Sequence, residues 1–246
     1  MLRCTDYSET SQVAALITPD LGQIHVLAKG SRRPRKDGRA PLDVISYCDI
    51  VLALRKPGQL HLLTEWRPRE TFAILRKDLR RFGFAFYAIE VALNCTSENP
   101  DDGPVCDDLV RFLRSLETNG EPHPQLFRFL LRILKTMGHV PVTDRCVQCG
   151  GRLEGEVRFS PQAGGALCAD CGAADPGAFG LSCGAVAVIN RLANHPADPA
   201  GLRIAPNQAT EIQRAFDEQI QYHLGKQLRT AQFLNTTFRQ RLSSNK

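Results

Sequence analysis

Two Cys-x-x-Cys pairs, Cys146/Cys149 and Cys168/Cys171, sit 18 residues apart in the stretch DRCVQCGGRLEGEVRFSPQAGGALCADCG. That separation falls in the range of roughly 15–20 residues expected of a four-cysteine zinc site. Two residues between thiols let one tight turn aim both sulfurs at a common point. Four thiolates give Zn2+ a closed tetrahedral shell with no place left for water, so the site is read as structural rather than catalytic. A glycine follows each second cysteine, where a positive φ carries no Cβ penalty. The intervening RLEGEVRFSPQAGGAL reads as a short hairpin returning near Gly164-Gly165. It holds too few apolar residues to fold unaided, so metal binding would supply its folding energy.

Two other readings stay open for these cysteines, a redox pair and a metal-free loop. A thioredoxin-like pair should follow a strand and start a helix, whereas glycine and polar loop residues follow each pair here. His139 and His195 lie near the cluster in sequence and read as helix-end or loop residues. Cys4, Cys48, Cys95, Cys106 and Cys183 have no partner spacing and are expected to be buried or half-buried. The odd cysteine count, without a basic-then-apolar leader in MLRCTDYSETS, favours reduced thiols and a cytoplasmic protein.

Around this insert the hydrophobic period changes. QVAALITP, GQIHVLAKG, DVISYCDIVLALR and QLHLLTE are short, rich in β-branched residues and leucine, and separated by turn signals at Pro19-Asp20, Gly30 to Pro41 and Pro57-Gly58. Closely spaced strands without helices between them suggest a small closed barrel or meander. From about Glu70, Phe72, Leu75, Leu79, Phe82 and Phe86 recur at helical spacing. Further helices are expected at 105–118, 124–138, 182–194, 207–224 and 227–241, with Asn207 as an N-cap. The expected order is a β domain over residues 1–80, a first helical part over 81–142, the zinc module over 143–175 and a helical return over 176–246.

Net charge is +5, but residues 1–82 carry 15 Lys and Arg against 9 Asp and Glu, while the rest is near balance. The excess concentrates in LAKGSRRPRKDGR, where Lys29, Arg32, Arg33, Arg35, Lys36 and Arg39 face only Asp37. An arginine-rich loop between strands suits phosphate tracking; six such contacts on a single strand would give a log–log salt slope of roughly −4. A second basic run carries Arg67, Arg69, Arg76, Lys77, Arg80 and Arg81. A solvated basic face is the plainer alternative for either. Only Tyr7, Tyr47 and Trp66 are candidates for base stacking in this region, and that scarcity argues for backbone-directed binding with little sequence specificity. No phosphate loop, nucleophile elbow or zincin motif is present, and the expectation is a protein without catalytic residues. No apolar run approaches the roughly 20 residues of a membrane span.

Taken together, these segments resemble the bacterial recombination and repair family RecO. The resemblance is carried by DYSETSQVAALITPDLGQIHVLAKGSRRPR (6–35), LHLLTE (60–65), GHVPVTDRCVQCG (138–150), RFSPQAGGALCADCG (158–172) and YHLGKQLRTAQFL (222–234). It implies an α+β architecture in which an N-terminal OB-fold β-barrel precedes an α-helical domain with an inserted four-cysteine zinc module. It also implies binding of single- and double-stranded DNA, annealing of complementary strands, and partnership with RecR and the single-stranded-DNA-binding protein in loading RecA, in the cytoplasm at the nucleoid. Members of the family carry several residues before the Leu2-Arg3 pattern, so a start upstream of Met1 is expected. The competing reading of the residues is a zinc-ribbon module that binds RNA or an acidic protein.

Overall fold

A computed structural model describes residues 1–32, 42–56, 58–118, 121–194, 201–231 and 234. The chain divides into two compact units, Met1–Thr118 and Asn119–Lys246.

The first unit is built on five strands: β1 (Arg3–Asp6), β2 (Gln12–Thr18), β3 (Gly22–Ala28), β4 (Tyr47–Ala53) and β5 (His61–Glu70). Their order in the sheet is β1-β2-β3-β5-β4, antiparallel except for the parallel β3–β5 pair. Alternation fixes the register, because a slip by one residue would send every core side chain to solvent. Ala14 therefore faces Val26 and Leu16 faces Ile24, and with Ala28, Leu42, Leu63 and Trp66 they form the buried side of the sheet. Among the described residues no ladder joins β1 to β4, so the expected closed barrel is not seen as such. Two hydrogen bonds nevertheless join the residues that lead into β1 and β4: the Met1 amino group donates to Ser46 O at 2.7 Å, and Ile45 N donates to Met1 O at 3.2 Å.

All four strands read from the sequence are present, but β5 runs further than expected, through Pro68 to Glu70. Pro68 opposes Cys48 beside a register shift, a place where the missing N–H costs no ladder bond. The helix expected from Glu70 is broken. Phe72 is left-handed at φ 48°, a 3-10 turn covers Ala73–Lys77, and Asp78 then caps α1 (Leu79–Cys95) by accepting from Arg80 N and Arg81 N. The break resets the helical phase. Phe72 and Leu75 are buried, but Leu79 is 66% exposed, and the buried face of α1 is Phe84, Ala85, Tyr87, Ala88, Val91 and Ala92.

Helix α2 (Gly103–Glu117) packs on β2 and β3. The approach is close: Cys106 Sγ donates to Ile17 O at 3.4 Å, and burial pushes its thiol pKa up to about 11.

The second unit contains α3 (His123–Thr136), α5 (Cys183–Asn194) and α6 (Pro206–Leu224), which pack on one another. The rings of Phe127 and Phe216 meet edge-on at 5.8 Å in this core. Between α3 and α5 the chain forms β6 (Arg158–Ser160), β7 (Gly165–Leu167), the short α4 (Ala169–Ala173) and β8 (Phe179–Gly180), with sheet order β7-β6-β8. Helix α6 starts one step before the expected cap: Ala205 is the N-cap, Pro206 the first helical residue, and Asn207 lies inside. Most of the helix expected at 227–241 lies outside the described residues. No described helix is long and apolar enough to cross a membrane.

A Cβ on Gly103 would lie 1.9 Å from Pro19 O, whereas one on Gly180 would meet nothing within 4 Å. Gly103→Ala should therefore destabilise the first unit by about 1–3 kcal/mol through overpacking, and Gly180→Ala should stay within about 0.5 kcal/mol of the parent, both read by urea unfolding.

Candidate metal centre and nucleic-acid interface

The four cysteines converge. The Sγ atoms of Cys146, Cys149, Cys168 and Cys171 lie within 4.8 Å of one another, and Cys149 and Cys168 approach to 3.9 Å across the two pairs. A tetrahedral zinc with Zn–S near 2.3 Å requires S···S of about 3.8 Å, so the cage has the right size and donor chemistry for one such ion. Two turns make it. Gly150 N donates to Cys146 O at 2.9 Å, and Cys146 N donates to Gly151 O at 2.8 Å. In the second pair, Gly172 N donates to Cys168 O at 2.8 Å.

The glycines after the pairs serve different ends. Gly150 has φ 73°, as expected, but Gly172 lies inside α4 with no positive φ. Its hydrogen matters for space: a Cβ there would sit 2.8 Å from Arg158 Cδ, whose guanidinium donates to Gly172 O at 3.1 Å. The second pair also follows strand β7 and opens helix α4, the local arrangement that the redox reading called for. What separates this site from a redox pair is the first pair, which brings two more sulfurs to the same point.

Electrostatics divides the four thiols. Burial would raise the Cys146 thiol, but the backbone N–H groups of Cys149, Cys168 and Gln148 aim at its sulfur and bring its pKa down to about 6. Cys171 is pushed up to about 12, first by the hydrogen bond it shares with Cys168 and then by burial. Four sulfurs this close therefore cannot all be thiolates without a cation among them. The module has little else to hold it: its own core comprises buried Cys146, Leu167 and Ala178, with half-buried neighbours such as Val147 and Leu153.

The module is tied to the helices by contacts that spacing could not reveal. Val142 pairs with Gly165, where a Cβ would lie 2.1 Å from Val142 O. Thr143 and Asn190 exchange hydrogen bonds at 2.6 and 3.0 Å. His139 stacks on His223 at 3.5 Å and is not one of the clustered metal-binding groups; His195 lies outside the described residues. Cys183, expected to be at least half-buried, is exposed, with Sγ 3.6 Å from Gly155 O.

Of the basic loop, Lys29 and Arg32 are described and exposed, while Arg33, Arg35, Lys36 and Arg39 lie outside the described residues. The loop has a built root. Arg32 pairs with Asp6 at 3.0 Å, Arg32 N donates to Thr10 O at 3.2 Å, and Ser31 Oγ donates to Gln12 Oε1 at 3.0 Å. The turn at 6–11 thus anchors the point where the loop departs. The second basic run is mostly neutralised within its own unit. Arg69 pairs with Asp49 at 2.7 Å, Arg76 with Asp43 at 2.6 Å, Arg67 with Glu65 at 3.6 Å and Arg81 with Asp78 at 3.5 Å. Sequence counting missed Asp49–Arg69 and Asp43–Arg76 because these partners lie 20 and 33 residues apart. Of the three candidate stacking residues, Trp66 is 2% exposed in the core, Tyr47 sits under the Arg114 guanidinium, and Tyr7 is 65% exposed.

Comparison with known proteins decides the family. A family model described as Recombination protein O N terminal matches residues 1–72, and one described as Recombination protein O C terminal matches residues 76–232. The chain belongs to the RecO family. It is 32% identical over 238 residues to the DNA repair protein RecO of Anaeromyxobacter sp. (strain K), covering 96% of this chain and 93% of that protein. It is 30% identical over 237 residues to that of Roseiflexus sp. (strain RS-1), covering 96% and 83%. It is 30% identical over 241 residues to that of Symbiobacterium thermophilum, covering 96% and 94%. Membership supports a role in DNA repair.

The close fit at Gly165 yields a test. Gly165→Ala should force apart the Val142 pairing and open the module. Alkylation of Cys146, which is 1% exposed in the parent, should then accelerate at least several-fold, as read by mass spectrometry of the modified peptide.

Proposed function

We propose that this chain is a DNA-binding mediator of recombinational repair that works without a catalytic site of its own. In this reading it binds single- and double-stranded DNA through the basic loop Lys29 to Arg39 and anneals complementary strands. With RecR it helps load RecA on DNA coated by the single-stranded-DNA-binding protein, in the cytoplasm at the nucleoid. The observation that carries the DNA part is the contrast between the two basic runs. The second is matched by carboxylates at Asp43, Asp49, Glu65 and Asp78, whereas the loop leaves a root pinned by the 6–11 turn with a large cationic excess. Cations already paired release few counterions on meeting DNA, which makes the second run the weaker candidate.

The sheet supports an OB-like domain. The order β1-β2-β3-β5-β4 with a parallel β3–β5 pair has the connectivity of a five-stranded Greek-key barrel, and we propose that closure occurs between β1 and β4, where Met1 meets Ile45 and Ser46. We further propose that one Zn2+ is held by Cys146, Cys149, Cys168 and Cys171 and that its part is to fold the module. Residues 143–175 carry 3 Lys and Arg against 5 Asp and Glu, a balance that favours DNA contact elsewhere and leaves this module to scaffolding or protein contact.

Two outcomes are expected. Reversing Lys29, Arg33 and Arg35 to Glu, which leaves the Asp6–Arg32 pair intact, should lower single-strand affinity by tenfold or more at low salt and flatten the salt slope by roughly 2, at about 0.7 per lost contact; unchanged affinity and slope would move the interface elsewhere. Competition by RNA of equal length separates this reading from an RNA-binding module. Purified protein should contain one zinc per chain by elemental analysis, and a strong chelator should expose four thiols together with loss of near-UV signal from the second unit; a metal-free protein with four protected thiols would contradict the assignment.

A further inference from the structure

The turn that anchors the basic loop also presents an aromatic ring. Among the described residues of the first unit, Tyr7 is the one exposed large aromatic side chain. It has no hydrogen bond through its phenol and no ring contact among the described residues. Yet its backbone is fixed: Tyr7 N donates to Ser11 O at 2.9 Å, and Ser8 N donates to the same oxygen at 3.2 Å. Its neighbour Asp6 holds Arg32, and Thr10 in the same turn accepts from Arg32 N. The turn that carries the ring is thus hydrogen-bonded to Arg32 at the root of the loop. Behind the turn, Thr5, Val13, Leu27 and Leu62 follow one another across four strands in a single register row on the outer face of the sheet. Thr5 is exposed and the other three are half-buried. Lys29 lies two residues beyond Leu27, exposed and without an ion pair among the described residues.

We propose that Tyr7 stacks on an unpaired base of a single strand, and that this contact gives the domain a preference for single strands over duplex. The inference rests on the DNA-binding reading above. Its chemistry is specific to an unpaired base. A duplex keeps its base faces stacked inside and offers the ring nothing, whereas every unpaired base has an open π-face. The position is preorganised, because the turn's hydrogen bonds fix the backbone before the strand arrives, so little ordering entropy remains to be lost on binding. A ring needed only for folding would be buried, as Trp66 is. One needed only to fill the turn would touch its neighbours.

The test uses the full chain and fluorescence anisotropy with three probes: an oligo-dT strand, an abasic strand of equal length, and a duplex. Tyr7→Ala should weaken oligo-dT binding roughly five- to hundredfold. It should leave abasic-strand and duplex affinity, the salt slope and the melting temperature as in the parent. Tyr7→Phe, which keeps the π-face and loses only the hydroxyl, should retain oligo-dT affinity. An equal loss on all three probes would assign Tyr7 to holding the turn, and no loss on oligo-dT would remove it from the interface; either result overturns the proposal. If the parent binds oligo-dT and the abasic strand equally, stacking falls while the cationic-loop reading stands. If the parent binds none of the probes, both fall.

Discussion

Four sulfur atoms held within 4.8 Å of one another form the constraint on which the second unit depends. Thiolates at that separation repel strongly in a partly desolvated site, and thiols there gain little by meeting. The segment that carries them has a core too small to compensate. A cation among the sulfurs reverses the sign of the balance, turning mutual repulsion into four attractive bonds. The module's pairing with the segment that follows α3, Val142–Gly165, and the Thr143–Asn190 bond to α5 then link that order to the helical body. The zinc proposed for this site would thus shape the scaffold, and four thiolate donors would leave it no position for chemistry on a substrate.

In the first unit the governing issue is which charges are already spoken for. A sequence count treats every arginine as available. The fold does not: the run from the end of β5 into α1 is threaded with carboxylates from β4, from the loop before it and from the α1 cap. These exposed pairs add little stability, but they remove most of that run from competition for phosphate. At the root of the cationic loop, Arg32 pairs with Asp6. That pair orients the loop's departure and joins it to the turn bearing Tyr7.

Much of this was legible in the residues. Spacing alone predicted the convergence of Cys146, Cys149, Cys168 and Cys171, since the geometry of a four-thiolate site is local to two turns. Runs of β-branched residues and leucine bounded by proline and glycine turn signals gave the strands β2 to β5. The failures are equally physical. The apolar series from Phe72 to Phe86 has helical spacing but spans a strand exit, a 3-10 turn and a cap; periodicity reads through a break that only Asp78 signals. Gly172 was read as a conformational need, and it is a steric one set by Arg158 fourteen residues earlier. Ion pairs such as Asp43–Arg76 depend on strand order, which no local pattern contains. Arg33, Arg35, Lys36 and Arg39, central to the reading of the loop, lie outside the described residues, and their role rests on charge and position alone.

The central proposal is that a cationic loop on a small β domain brings complementary strands together. Annealing of two complementary single strands by the purified full chain, followed by fluorescence energy transfer between end labels, tests it most directly. The account predicts faster annealing than the strands achieve alone, without nucleotide cofactor, inhibited by salt in step with the loss of single-strand binding. Annealing no faster than that of the free strands, at concentrations where single strands are bound, would contradict it.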